Sequence, residues 1–310
     1  MALNILFAAR EERWAEYEMP LRTALKEASL DANLALAIPA AEVDYIVYAP
    51  NSFLQDFTPY TRTKAVLNLW AGVESIVGNQ TLTQPLARMV DPGMTQSMTE
   101  WVVGHVLRYH LGMDAHIVNP THQWTPKAPP LAEERSVCIL GMGALGASVG
   151  TTLATLGFKV TGWSRSPKDI QAIKTYSGQD GLDQALSGAE ILVLLLPDTP
   201  DTENTLNADR LAKLPEGACI INPGRGPLID DEALVAALDK GHIAHATLDV
   251  FRIEPLPKTH PFWAHPKVTV TPHIAAETRT VTASRVIAEN VRRGEAGEPF
   301  VHLVDRARGY

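Results

Sequence analysis

The stretch Ser136-Val137-Cys138-Ile139-Leu140-Gly141-Met142-Gly143-Ala144-Leu145-Gly146 sets the reading of the whole chain. Its first five residues form a short apolar run, the pattern of a strand buried on both faces. Glycines at 141, 143 and 146 follow at once, and Val149, Leu153 and Leu156 then recur at helical spacing. A glycine triplet alone is a weak signal, since glycines also mark ordinary turns. Between a buried strand and a helix each has a reason: a tight turn, close approach of backbone to a pyrophosphate, and packing of helix on strand. The helix start adds unpaired N–H groups and the positive end of a dipole. A dinucleotide site is therefore expected at Gly141, Gly143, Ala144, Leu145 and Gly146.

Downstream, apolar runs at 159–163, 191–196, 218–221, 246–250 and 268–271 alternate with helical stretches. That alternation predicts a parallel sheet covered on both faces. Upstream, strand-like runs at 5–8, 45–48 and 66–69 and a helix over 14–26 read as a smaller α/β unit. Asp91-Pro92-Gly93 breaks the chain, and Met94, Met98, Trp101, Val102, His105, Val106 and Tyr109 then mark a long helix crossing into the second domain. The segment 119–130 reads as a proline-rich loop, and a helix over 278–293 is expected to return to the first domain. The expected fold is α/β: two Rossmann-like domains with doubly wound parallel sheets and an active-site cleft between them. The boundaries are 1–95 for a substrate-binding domain, 96–277 for a dinucleotide-binding domain and 278–310 for the returning helix and tail.

The end of the strand after the glycine turn selects the nicotinamide. NAD sites carry an Asp or Glu roughly 20 residues past the first glycine, on the ribose hydroxyls. Here the sequence is Gly162-Trp163-Ser164-Arg165-Ser166-Pro167-Lys168, with no acid before Asp169. A carboxylate would repel a 2′-phosphate, whereas Arg165 can pair with one, helped by Ser164, Ser166 and Lys168. NADPH is expected over NADH.

Three groups then follow successive strands. Asn222-Pro223-Gly224-Arg225-Gly226 places an arginine, Phe251-Arg252-Ile253-Glu254-Pro255-Leu256 a glutamate, and Thr271-Pro272-His273 a histidine beyond the same sheet edge, where open α/β sheets carry ligands. Reducing a keto acid needs a proton donor, which suits histidine supported by a carboxylate, and a grip on a carboxylate, which suits the planar fork of arginine.

In order, the glycine turn, Leu196-Pro197-Asp198-Thr199-Pro200-Asp201-Thr202, Asn222-Pro223-Gly224-Arg225-Gly226, Leu248-Asp249-Val250-Phe251, Glu254-Pro255-Leu256 and Thr271-Pro272-His273 resemble the D-2-hydroxyacid dehydrogenases over nearly the whole chain. The ending Val304-Asp305-Arg306-Ala307-Arg308-Gly309-Tyr310 is similar to the branch acting on glyoxylate and hydroxypyruvate. The resemblance implies hydride transfer to C2 of a small 2-keto acid, giving the D-hydroxy acid. By the same resemblance His273 protonates the carbonyl oxygen, Glu254 holds its imidazole and raises its proton affinity, and Arg225 binds the substrate carboxylate. Backbone N–H groups of Ala71, Gly72 and Val73 take the other end of that carboxylate. Leu196, Pro197 and Thr202 line the cofactor, Pro223, Gly224 and His273 lie beside it, and Asp249 supports its nicotinamide end. Pro223, Gly224 and Pro227 depart from the commoner family pattern around the arginine and bear on pocket shape. Trp124 sits where some relatives reach into a partner's pocket, and a homodimer is expected by resemblance.

Composition excludes several classes. A net charge of −8 argues against nucleic acid or an anionic membrane as the main partner. The two cysteines, Cys138 and Cys219, lie in apolar runs, and no zinc or disulfide pattern exists. His242 and His245 form an HxxH without a third ligand, so no metal is expected. No targeting or membrane-spanning stretch is visible, and a cytoplasmic protein is the expectation. Two rival readings remain: a beta-hydroxyacid dehydrogenase or imine reductase, which would put its glycine loop at the chain start and use a helix-borne lysine, and an NAD(P)-sensing corepressor-like protein on the same fold, which turnover of simple keto acids distinguishes.

Overall fold

The computed structural model describes residues 2–117, 121–124, 126–306 and 309; parts of the expected 119–130 loop and of the 304–310 ending lie outside these. The chain divides into two compact units, Met1–Met94 with Glu277–Tyr310, and Thr95–Ala276. In chain order the elements begin with β1 (Leu3–Ala8), α1 (Glu11–Glu27), β2 (Ala32–Ala35), β3 (Tyr45–Tyr48), β4 (Ala65–Asn68) and β5 (Leu86–Ala87). Next come α2 (Pro92–His110), α3 (Asp114–Ile117), β6 (Ser136–Leu140), α4 (Ala144–Thr155), β7 (Lys159–Ser164), β8 (Lys174–Ser177) and α5 (Gly178–Ser187). The remainder is β9 (Ile191–Leu194), α6 (Ala208–Leu211), β10 (Ala218–Asn222), α7 (Asp231–Asp239), β11 (Ile243–Leu248), β12 (Val268–Val270) and α8 (Thr280–Ala296).

The first unit holds a parallel five-stranded sheet in the order β2-β1-β3-β4-β5. Alternate strand residues serve opposite faces, as a period of two requires. Ile5, Phe7, Tyr45, Val47 and Leu67 pack with Tyr17 and Leu21 of α1 and with Ile287 and Val291 of α8. Leu6, Ala8, Ile46, Tyr48 and Val66 face a second cluster with Phe57, Ile76 and Leu82. The C-terminal segment belongs to this unit in hydrogen bonds too: Val304 N–H donates to the Leu86 carbonyl at 2.8 Å and Arg88 N–H to the His302 carbonyl at 3.0 Å.

The second unit is a parallel seven-stranded sheet, β12-β11-β10-β9-β6-β7-β8. Its order steps outward both ways from the β9–β6 pair, the topological switch at which doubly wound sheets hold their ligands. Both faces are covered. Val137 and Ile139 pack under Met98, Val102 and Val106 of α2 and Val149 and Leu153 of α4. Cys138 and Leu140, one residue out of phase, pack under Leu182 and Leu186 of α5 and Leu234 and Leu238 of α7.

The strands β4 and β12 end one residue before their expected apolar runs do, and β9 and β11 end two residues before. Leu195 and Leu196 lie past β9, where the Leu195 carbonyl backs the glycine turn. The 246–250 run belongs to β11, three residues earlier, so Asp249 and Val250 fall in the loop beyond the strand. The edge strands β2 and β8 and the two-residue β5 escape an apolar-run reading: β8 is Lys-Thr-Tyr-Ser, with no fully buried residue. Among the described residues no helix is long and apolar enough to cross a membrane.

Candidate active site

The glycine turn is shaped by backbone contact. Gly141 has φ +109°, and a Cβ there would fall 2.4 Å from the Leu195 carbonyl oxygen. A Cβ on Gly146 would lie 1.9 Å from the Gly141 carbonyl oxygen, so α4 starts directly against the end of β6. Gly143, the N-cap of α4, differs: nothing lies within 4 Å of where its Cβ would be, and no side chain caps the helix. The first-turn N–H groups of α4 thus open onto a cradle that a side chain would fill, which suits a phosphate. Ala144 and Leu145 are the first two residues of that turn.

At the end of β7, Ser164 is buried and its hydroxyl donates to the Ser166 carbonyl at 2.7 Å, so it shapes the turn. Arg165, Ser166 and Lys168 are exposed beyond it. After β9, Leu196 is buried and Pro197 half-buried; the Thr202 hydroxyl donates to the Pro197 carbonyl at 2.7 Å and accepts the Thr199 N–H at 2.9 Å. That loop closes on itself.

Beyond β10, Asn222 is buried and clamps its own loop. Its Oδ1 accepts the Gly224 N–H at 3.1 Å and its Nδ2 donates to the Arg225 carbonyl at 2.9 Å, fixing Pro223, Gly224 and the arginine backbone. Arg225 itself is half-buried, with Nη1 donating to the Gly224 carbonyl at 2.7 Å.

His273 Nδ1 lies 2.7 Å from Glu254 Oε2, while the other carboxylate oxygen accepts the Phe251 N–H at 2.9 Å. With Nδ1 on a carboxylate, the ring's Nε2 is the atom left to act. The His273 side chain keeps 51% of its surface exposed. Its backbone is left-handed, φ +55°, a conformation that costs a non-glycine residue on the order of 1 kcal/mol.

Asp249 holds that backbone in place. Buried to 1% exposure, its carboxylate accepts the Thr271 hydroxyl at 2.6 Å and the N–H groups of Ile274 and Ala275 at 2.9 Å each, and its own carbonyl accepts the His273 N–H at 2.9 Å. The residue expected at the nicotinamide end has its carboxylate committed to the 271–275 turn. Asp249→Asn turns an amide N–H against one of these donors and is expected to cost about 2 kcal/mol. The thermal midpoint should fall by roughly 5 °C in a calorimetric scan. An unchanged midpoint would remove Asp249 from this role.

In the first unit, Asn68 at the end of β4 donates to the carbonyls of Trp70 and Gly72 at 2.9 and 3.1 Å, shaping the turn of Ala71, Gly72 and Val73. His242 and His245 are half-buried and hydrogen-bonded. His242 Nε2 lies 3.1 Å from the Leu211 carbonyl and His245 Nε2 3.0 Å from the Thr269 hydroxyl, and burial pushes His245 down to about 4. Among the described residues no group of three or more His, Cys, Asp or Glu could hold a metal ion. Burial raises the Cys138 thiol to about 12 and that of Cys219 to about 11, away from the range of an activated thiolate. Trp124 is 94% exposed.

Neither Asn68, Asn222 nor the turn-holding role of Asp249 was visible in the sequence. An asparagine at the end of an apolar run was the one local signal for the first two.

A glycine-cradled helix start and an Arg, Glu and His beyond three adjacent parallel strands define a nicotinamide-dependent oxidoreductase. Residues 105–275 match the family model "D-isomer specific 2-hydroxyacid dehydrogenase, NAD binding domain". The chain is 42% identical to a glyoxylate/hydroxypyruvate reductase A from Yersinia enterocolitica over 255 residues, 80% of this chain and 82% of the relative. It is also similar to a D-isomer specific 2-hydroxyacid dehydrogenase from Xanthobacter autotrophicus solved with NADPH and MES, at 39% identity and a TM-score of 0.92 over 100% of both chains. An NADPH-dependent glyoxylate/hydroxypyruvate reductase from Sinorhizobium meliloti, solved with NADP and sulfate, matches at 34% identity and a TM-score of 0.87 over 99% of this chain and 100% of that one. The chain belongs to the D-isomer specific 2-hydroxyacid dehydrogenases and is an NAD(P)-dependent oxidoreductase.

Proposed function

We propose that this enzyme reduces small 2-keto acids, glyoxylate and hydroxypyruvate foremost, to D-2-hydroxy acids at the expense of NADPH. The observation that carries the reading is the His273–Glu254 pair at 2.7 Å, beyond β12 and β11, with Arg225 beyond the adjacent β10. The residues fit the cofactor: the open Gly143 cradle suits the pyrophosphate, and Arg165, with no acid between Gly141 and Lys168, suits a 2′-phosphate. Gly141, Gly146, Ala144, Leu145, Leu196, Pro197, Thr202, Pro223 and Gly224 complete that surface, with Ser166 and Lys168 beside Arg165. When bound, NADPH supplies the hydride for the carbonyl carbon.

This chain's residues do the rest. Arg225 grips the substrate carboxylate through its planar fork. In the first unit, the backbone N–H groups of Ala71, Gly72 and Val73 are the proposed carboxylate donors. His273 Nε2 gives its proton to the carbonyl oxygen, which completes the hydroxyl of the product. Glu254 holds the other ring nitrogen and offsets the imidazolium charge before the proton leaves. The reading includes a homodimer, with the exposed Trp124 as the residue offered to a partner; light scattering tests it. It also includes a cytoplasmic location, in keeping with two cysteines that are both free.

The test is oxidation of NADPH and of NADH against glyoxylate, hydroxypyruvate, pyruvate and phenylpyruvate. Turnover of the first two with NADPH well above NADH is expected. Tight NADPH binding without any turnover would favour a nucleotide sensor instead. Arg165→Ala is expected to raise the KM for NADPH about 20-fold, the size of a charge-assisted phosphate contact, with the KM for NADH within twofold. Equal shifts for both cofactors would sink the phosphate assignment.

A further inference from the structure

We propose that Arg252 is a positioning residue that sets the keto-acid affinity by holding the loop that carries Arg225. It sits two residues before Glu254 in the loop after β11, yet its guanidinium turns onto the neighbouring loops. Nη2 donates to the Ile229 carbonyl at 2.8 Å, to the Pro227 carbonyl at 3.3 Å and to Asn204 Oδ1; Nη1 pairs with Glu203 at 3.3 Å. One side chain therefore joins loops following three adjacent strands, β9, β10 and β11.

The joint is tight because backbones already touch there. A Cβ on Gly226 would fall 2.0 Å from the Phe251 carbonyl carbon and 2.4 Å from the Arg252 nitrogen. Asn204, at φ +49°, donates its N–H to the same Pro227 carbonyl at 2.8 Å. The loop bearing Arg225 is thus held on its near side by Asn222, through Gly224 and Arg225, and on its far side by Arg252, through Pro227 and Ile229. Without Arg252 two loop carbonyls lose a charged donor, and the far side is left to the Asn204 N–H and to Leu206, whose N–H donates to the Leu228 carbonyl at 2.9 Å and whose carbonyl accepts the Asp230 N–H at 3.0 Å.

The effect is selective. Glu254 is anchored separately by the Phe251 N–H, so its pairing with His273 does not depend on Arg252. Thr202 closes the 197–202 turn by itself, so that part of the cofactor surface is independent too. Of Arg225, Glu254 and His273, Arg225 is the one whose loop accepts hydrogen bonds from the Arg252 side chain, and this inference rests on the reading of Arg225 as the carboxylate-binding group.

The experiment is steady-state kinetics of Arg252→Ala, Arg252→Lys and Arg225→Ala with glyoxylate and NADPH, alongside NADPH titration by fluorescence. For Arg252→Ala the KM for glyoxylate is expected to rise about 10-fold, the size one charged hydrogen bond carries, with kcat and NADPH affinity within about twofold. Millimolar guanidinium chloride should recover part of the lost affinity. Arg252→Lys, which keeps charge and stem but presents a point donor to a planar set of acceptors, should fall between and keeps the test open should the truncation fail to fold. An unchanged glyoxylate KM in both variants, or a rise matched by an equal loss of NADPH affinity, overturns the proposal. Wild-type KM in Arg225→Ala would instead overturn the carboxylate reading beneath it, whatever Arg252 does.

Discussion

His273→Ala is expected to lower kcat for glyoxylate reduction about 1,000-fold, within the range for loss of a positioned general acid, while NADPH affinity stays within twofold. In the proposed role the imidazole gives up the proton: Nδ1 is held 2.7 Å from Glu254, and half the side chain is open to solvent. Water is a poor substitute, since it is neither oriented nor paired to a carboxylate. The backbone at 273 complicates the alanine variant, because φ +55° suits few residues. Asparagine tolerates that conformation and cannot protonate an alkoxide, so His273→Asn separates chemistry from strain. Both variants should lose kcat alike. Glu254→Gln keeps a hydrogen-bond acceptor but removes the charge, and its loss should be smaller than either. Full activity in His273→Asn would overturn the proton-donor role.

How much of this was legible depends on how locally each feature is encoded. The glycine turn was legible because its strand, glycines and helix lie within twenty residues, and the structure has them in that order. The apolar runs gave the central strands for the same reason, since residues such as Val137 to Leu140 are buried on both faces. Strand ends were less legible. Asp249 sits in an apolar run that continues past β11, and nothing local says that its side chain turns beneath a loop more than twenty residues later. Arg252 was the least legible. Its acceptors are two backbone carbonyls, an asparagine and a glutamate 23 to 49 residues away, and backbone carbonyls leave no mark on a sequence. Beside Glu254 it reads as one more surface charge. Catalytic groups thus show in the chain as residue types, whereas much of what aims them is done by backbone geometry and by side chains that look ordinary.

Arg225→Lys makes that distinction measurable. Charge alone would let lysine serve, since a keto acid's carboxylate needs only a cation nearby. Geometry says otherwise. Asn222 fixes the backbone on both sides of residue 225, Arg252 braces the segment beyond, and Nη1 is held by the Gly224 carbonyl at 2.7 Å, so the guanidinium plane is oriented before any substrate arrives. A planar fork meets both carboxylate oxygens at little further cost in side-chain freedom; an ammonium on a flexible stem meets one. We expect Arg225→Ala to lower kcat/KM for glyoxylate about 1,000-fold, roughly 4 kcal/mol of transition-state binding, and Arg225→Lys to recover no more than about tenfold of it. The comparison is made on kcat/KM because a residue that both binds the carboxylate and polarises the adjacent carbonyl acts on ground state and transition state together. A lysine variant close to wild type would mean that charge suffices, and the bracing by Asn222 and Arg252 would then have no catalytic consequence.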